Sequence, residues 1–295
     1  MISIGIDYTP GHWRVCHVEA GRLAEFRACA NVRELQALIS QVSARSPEPT
    51  IVVSLPVATP FGALAALRQE QLEHLARCAQ PMAACTEVKD ALEALRTLSL
   101  RSYCAPSVAF LPTLPPYRRL LRPALGAASE VCTIVALLRH MREQDASWPE
   151  MNFFAIHADE PETCVLVIQG GQIVNGIGCV QGSQVPDSRA SGVGVEGEAF
   201  RHLREEAYRE GLKQDLAGLL AIHQIEDVVV LGQKSPALVG YLADSYQLYH
   251  FPRVGPDGPG YEAALGAALL AEGLEQKGGA AEVVDRLQIP RARAG

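Results

Sequence analysis

Residues 152–178, NFFAIHADEPETCVLVIQGGQIVNGIG, carry the reading on which the fold turns. Residues 153–157 are a short apolar run, and 158–162 are an acidic turn that holds a proline. Residues 163–169 read as a strand of β-branched and apolar side chains. Gly170-Gly171 makes a tight turn, and 172–175 begin the returning strand. The chain start has a similar layout: strand 2–7, turn 8–11, strand 13–19, turn Ala20-Gly21, strand 23–27. Two copies of strand, turn, strand, glycine turn and strand, about 150 residues apart, predict a duplicated domain.

Between and after these copies the chain alternates helices and strands. Asn31 is placed to cap a helix, with Glu34 at the capping-box position. Val32, Leu35, Leu38 and Ile39 then recur at helical spacing, and Pro47 and Pro49 stop the run. Residues 50–55, TIVVSL, read as a central strand buried on both faces. Helices are predicted over 69–79, 87–98 and 126–144, and a short strand over 107–111. Ser129 reads as the cap of the third helix, with Glu130 in its first turn. Residues 196–222 read as a long helix interrupted near Gly211. Residues 227–231 are a buried strand, then come Gly232, a polar loop and a helix, a last strand at 247–251 and a small-residue helix at 261–274. The polar stretch 145–150 marks a boundary. The division predicted is therefore 1–148, 149–276 and a flexible tail over 277–295, in an α/β order with helices on mixed sheets.

Composition narrows the function. The chain has 295 residues, 48% hydrophobic, which suits a globular protein with a real core. Its net charge is −7, with no basic surplus to neutralise a nucleic-acid backbone. It has neither an apolar run long enough for a membrane span nor a signal peptide at MISIGID, so a cytoplasmic protein is expected, with no nucleic-acid or membrane partner. Eight cysteines are scattered without a C-x-x-C pair, as expected of reduced thiols packed as small hydrophobes.

Four segments carry a resemblance to a known group: 107–112 (SVAFLP), 125–132 (LGAASEVC), 152–154 (NFF) and 171–178 (GQIVNGIG). With the repeated hairpins, they resemble the superfamily of acetate and sugar kinases, actin and heat-shock chaperone ATPases. Within it they are most similar to a mostly archaeal family labelled "predicted butyrate kinase". The resemblance implies two duplicated actin-like (ribonuclease H-like) domains with a cleft between them. It also implies ATP and Mg2+ as cofactors. Asp7, ending the first strand, would position magnesium and serve catalysis, since a hard oxygen ligand on a rigid strand suits that ion. Thr9 and Gly11 would touch phosphate, and Gly232 and Ser235 would line the adenosine pocket. As residues alone, Asp7 and Pro10 also suit an ordinary β-turn.

Arg118, Arg119 and Arg122 lie within five residues of one another beside a proline-rich turn. They suit either a carboxylate or phosphate substrate or a solvated basic loop. Three features depart from the family pattern. Pro10 removes an amide donor from the first turn. The second turn carries Asp159, Glu160 and Glu162 and no glycine. Gly126-Ala127-Ala128-Ser129-Glu130 stands where the family has Gly-Thr-Ala-Asp-Lys. Three functions remain open: an ATP-dependent phosphotransferase acting on a small carboxylate or hydroxyl substrate, a catalytically degenerate relative serving as a nucleotide- or ligand-binding regulatory module, and an enzyme on an unrelated α/β fold. A small-molecule substrate is expected, and a homodimer is compatible with the sequence.

Overall fold

The structure, a computed structural model, describes residues 2–9, 11–19, 21–45, 48–78, 82–98, 100–122, 124–158, 163–178, 180, 197–232, 235–251, 254, 260–276 and 278–293, without the side chains of 77, 78, 82–84 and 235. Pro10, the acidic turn 159–162, the polar loop residues Gln233 and Lys234 and most of residues 176–194, a glycine-rich stretch, lie outside the described residues.

The first half opens with β1 (Ile2–Thr9), β2 (His12–Glu19) and β3 (Arg22–Cys29), paired antiparallel. Helix α1 (Val32–Arg45) crosses to β4 (Thr50–Ser54), which lies parallel to β1. The Asn31 side chain accepts from the Glu34 amide at 3.0 Å, the helix start the sequence specifies. After the two-residue β5 (Gly62–Ala63), α2 (Gln69–Cys78) and α3 (Met82–Thr97) lead to β6 (Arg101–Cys104), parallel to β4. A four-residue α4 (Arg118–Leu121) and then α5 (Ala128–Glu143) end this half.

The second half repeats the plan. β7 (Phe153–Ala158), β8 (Thr163–Gln169) and β9 (Gln172–Ile177) are antiparallel. Helix α6 (Gly197–His223) crosses to β10 (Asp227–Leu231), parallel to β7. Then α7 (Ser235–Leu242) leads to β11 (Gln247–His250), and α8 (Glu262–Leu274) follows. Sheet orders β3-β2-β1-β4-β6-β5 and β11-β10-β7-β8-β9 match strand for strand, apart from the extra β5. The Gly170-Gly171 turn has φ of 56° and 71°, the left-handed pair that a two-residue hairpin with this twist requires.

Alternation along the strands decides the layers. Ile4 and Ile6 face outward onto α1 and α3, and Phe154 and Ile156 face outward onto α6 and α7. The other faces meet a central layer of α5 and α8, where Val131, Ile134, Val135, Ala267 and Leu270 pack with Phe153, Ala155 and Leu166. Helix α8 lies directly on β1, β2 and β4. A Cβ at Gly5 would overlap the Ala264 carbonyl oxygen and the Ala268 nitrogen, so strand and helix touch backbone to backbone. This is what the small residues of EAALGAALLAEGL are for.

Several sequence expectations need correction. Residues 149–276 do not close on themselves, because α8 returns to the first sheet. Residues 278–293 are not a loose tail: α9 (Gly278–Arg286) and the turn after it bury Ala280, Val283, Val284, Leu287 and Ile289. The i, i+3, i+4, i+7 spacing of the first four gives a stripe that covers α5 and α8. Residues 108–110 form a 3-10 turn rather than a strand, since Ser107 and Val108 donate to the carbonyls of Thr59 and Gly126, in loops. The strand in that region is β6. Helix α6 runs unbroken through Gly211. Ser129 is not the cap of α5 but lies in its first turn, because Ala127 takes the cap position and Glu130 satisfies its amide.

Candidate functional site

The two sheets present equivalent strand ends to the central layer. Asp7 pairs with Ser54, the last residue of β4, and His157 pairs with Leu231, the last residue of β10. By register, Asp7 and His157 occupy corresponding places in the repeat. Both face α5, and the helix start carries Glu130 between them.

Asp7 is 5% exposed. Ser54 Oγ donates to Asp7 Oδ1 at 2.9 Å. Burial pushes the Asp7 carboxyl up from 3.8 to about 6, against the Ser54 hydrogen bond and the charge of Arg14, with the Glu130 charge adding to the rise. Arg14 stands opposite Asp7 on β2 and donates from Nη1 to the Gly260 carbonyl at 2.8 Å. Glu130 Oε2 accepts from the Ala127 amide at 2.7 Å and the Ser129 hydroxyl at 3.1 Å. Its Oε1 lies 3.4 Å from His157 Nδ1. Burial alone would raise Glu130, but the His157 contact and the amide bonds outweigh it and hold the carboxyl below its ordinary value. Cys132, one turn along α5, is pushed far up by burial and stays a thiol. Cys16, Cys29 and Cys104 likewise form no disulfide.

Of the residues expected from sequence, Asp7, Thr9 and Gly11 gather at the carboxyl end of β1. Thr9 pairs with His12 across the hairpin, and Gly11 has φ of 85° with open space where a Cβ would point. Gly232, φ 90°, follows β10 beside the His157 register position, and Ser235 starts α7. Both groups thus lie at carboxyl ends of parallel strands, where ligands bind in open α/β sheets. Arg118 and Arg119 sit on α4. Arg118 donates to the Val174 carbonyl at 2.6 Å and lies 3.2 Å from His223 Nε2, while Arg119 donates to the Leu111 carbonyl at 3.3 Å. Arg122 pairs with the buried Asp215 at 2.9 Å.

Sequence reasoning did not assign Ser54, Arg14, Glu130 or His157 to the site. The signal for His157 was there: it ends the first strand of the second copy, as Asp7 nearly ends that of the first. Glu130 and Ser54 gave no such signal, since only the packing of α5 between the sheets brings them together.

Residues 5–203 match a family described as "Protein of unknown function (DUF1464)". The chain belongs to this family. No curated protein matches this DUF1464 chain. Among solved structures it is similar to acetate kinase from Entamoeba histolytica, at 9% identity over 82% of this chain and 85% of that one, with a TM-score of 0.53. It is also similar to inorganic polyphosphate/ATP-glucomannokinase from Arthrobacter sp. strain KM, at 13% identity over 92% and 98%, with a TM-score of 0.51. At such identities the likeness establishes the fold, the two-domain actin-like fold of acetate and sugar kinases. No described helix of this DUF1464 protein is long and apolar enough to cross a membrane.

Proposed function

We propose that this protein is an ATP-dependent phosphotransferase acting on a small carboxylate or hydroxyl substrate between the two sheets, the carboxylate alternative being that of an acyl kinase such as a butyrate kinase. The observation that carries the reading is Asp7: a buried carboxyl at the end of β1, held by Ser54 and raised in pKa by that burial. A protein keeps a costly carboxyl at a strand end when something bound there repays it.

The residues fit magnesium–nucleotide in a limited sense. Among the described residues no cluster of three side-chain ligands exists. Magnesium asks for less than that, since it takes one or two carboxylates and completes its shell with water and phosphate. Asp7 would hold the ion's waters, Thr9 and Gly11 would meet phosphate, and Gly232 and Ser235 would flank the adenosine. When bound, the nucleotide supplies the phosphoryl group. The chain's own part is to orient the groups and to exclude water as the halves close.

One observation favours the second reading, a degenerate relative that binds a ligand without catalysis. The amide at the start of α5 is already taken by the Glu130 carboxylate, so an anion approaching that helix end meets a fixed negative charge. Calorimetric titration with magnesium–ATP and with a non-hydrolysable analogue separates the readings. Micromolar binding that is lost in Asp7→Asn, followed by phosphoryl transfer to a short carboxylate or alcohol, supports the phosphotransferase. Binding without turnover supports the regulatory module. No binding at millimolar nucleotide removes the phosphotransferase and leaves a module whose ligand is not a nucleotide.

A further inference from the structure

The repeat is broken in one place, and the break leaves a cavity. In the first half, strand β4 begins with Thr50, paired in register with Arg101 of β6. Helix α8 ends over this pair: its C-cap residue Glu275 accepts from the Thr50 hydroxyl at 2.9 Å and binds the Arg101 guanidinium at 2.8 Å. In the second half the corresponding residues are Asp227 on β10, Gln247 on β11 and Gln144, the C-cap residue of α5. Gln144 does not close on the sheet. Its amide nitrogen lies 3.1 Å from His140 Nε2 on its own helix. Between helix and sheet is a cavity of about 420 Å³, within the size range of small-molecule sites.

The space opens to solvent past Gln144, Glu150, Tyr249 and His250, which are exposed, and closes inward against Leu137, Phe153 and Val229. Leu137, His140, Met141 and Gln144 all line it, and their i, i+3, i+4, i+7 spacing is one helical stripe facing the sheet. Such a stripe is normally apolar throughout; here it carries an imidazole and an amide. On β10, Val228 and Val230 belong to the outer core and Val229 and Leu231 to the inner one, so alternation turns Asp227 inward. The Asp227 carboxylate is half-buried and has no hydrogen-bond or ion-pair partner among the described residues. Phe153, Tyr249 and Phe251 supply aromatic walls, and His140 meets the Phe251 ring edge-on with centroids 5.6 Å apart.

This cavity is separate from the Asp7 site. His140 lies ten residues along α5 from Glu130, about 15 Å at the helical rise. Phe153 lies four residues along β7 from His157, about 13 Å at the strand rise. Both rulers put the cavity at the opposite end of the central layer.

We infer that the cavity between α5 and the β10–β11 edge is a second ligand site, which takes a small organic cation, an amine or guanidine on an aromatic or branched apolar body. The cationic group pairs with Asp227, as Arg101 pairs with Glu275 in the other half, and the apolar body fills the space between Met141, Val229 and the aromatic walls. The inference does not depend on what binds at Asp7.

The test uses the full chain with 13C-methyl methionine, of which the sequence has four, and 2-phenylethylamine as the probe, with phenylacetate and 2-phenylethanol as controls. The Met141 methyl resonance should move saturably with the amine, less with the alcohol and not with the acid. Asp227→Asn, a near-isosteric change checked by its melting temperature, should weaken the amine by about tenfold or more, as removal of a charge-assisted contact does. Val229→Phe should fill the cavity and abolish the shift. An unmoved Met141 resonance at the highest soluble amine concentration overturns the inference. So does an equal response to amine and acid, or an Asp227→Asn variant that binds the amine unchanged.

Discussion

Asp7→Asn should stabilise the protein while removing its function. Burial raises the Asp7 carboxyl from 3.8 to about 6, so the folded chain binds this proton more tightly than the unfolded one. The stability tied to that proton is complete below about pH 3.8 and is lost as pH rises through about 6. Each pKa unit is worth about 1.4 kcal/mol, so the folded state at pH 8 carries a cost of about 3 kcal/mol from ionised Asp7. Asparagine has the same shape, still accepts from Ser54 through its Oδ1, and does not ionise. The variant and the parent should therefore be equally stable near pH 4. Their difference should grow through pH 6 and level off near 3 kcal/mol in favour of asparagine, less whatever the new amide loses for want of an acceptor. Urea unfolding at a series of pH values reads this directly. A variant less stable than the parent at pH 8, or a difference that does not change with pH, refutes the reasoning. Magnesium–nucleotide should recover the deficit in the parent and leave the variant unmoved, since only a ligand of the folded state raises stability.

Further predictions concern the central layer. Gly5→Ala drives a methyl into the α8 backbone and should cost about 3 kcal/mol or more. Gly62→Ala, where a Cβ meets open space, should change the urea midpoint little, which makes it the matched control. Ending the chain after residue 277 removes Val283, Val284, Leu287 and Ile289 from the core. At roughly 1.5–3 kcal/mol for each buried side chain, this loss rivals the whole stability of an ordinary domain. The truncated chain should be recovered unfolded or insoluble, and a cooperative melt at the parental temperature would restore the tail reading.

Much of the fold was legible because its rules are local. Alternation in ISIGID, the β-branched and apolar run TCVLVIQ, the glycine pair at 170–171 and the Asn31–Glu34 cap each write an element within a few residues. The duplication could be read for the same reason, as two hairpins of matching order. The strand end that carries Asp7 could be read from alternation, whereas the role expected of Asp7 came from the resemblance.

Distant packing decided the rest. Local periodicity gives α8 an apolar, small-residue surface but does not say which sheet it covers, and only the close approach of Gly5 selects the first. The stripe on α9 is amphipathic in sequence, yet a short helix at a chain end becomes part of the core only when α5 and α8 offer a surface to bury it. Glu130 and His157 are 27 residues apart and meet because α5 runs between the sheets. Asp227 and Gln144, corresponding to Thr50 and Glu275, do not meet. The sequence by itself determined the strands, the hairpins and the duplication, because backbone geometry and side-chain period act over a few residues. The tertiary structure decided where the repeat closes and where it stays open, because burial depends on which surfaces remain to be covered once the chain has folded back.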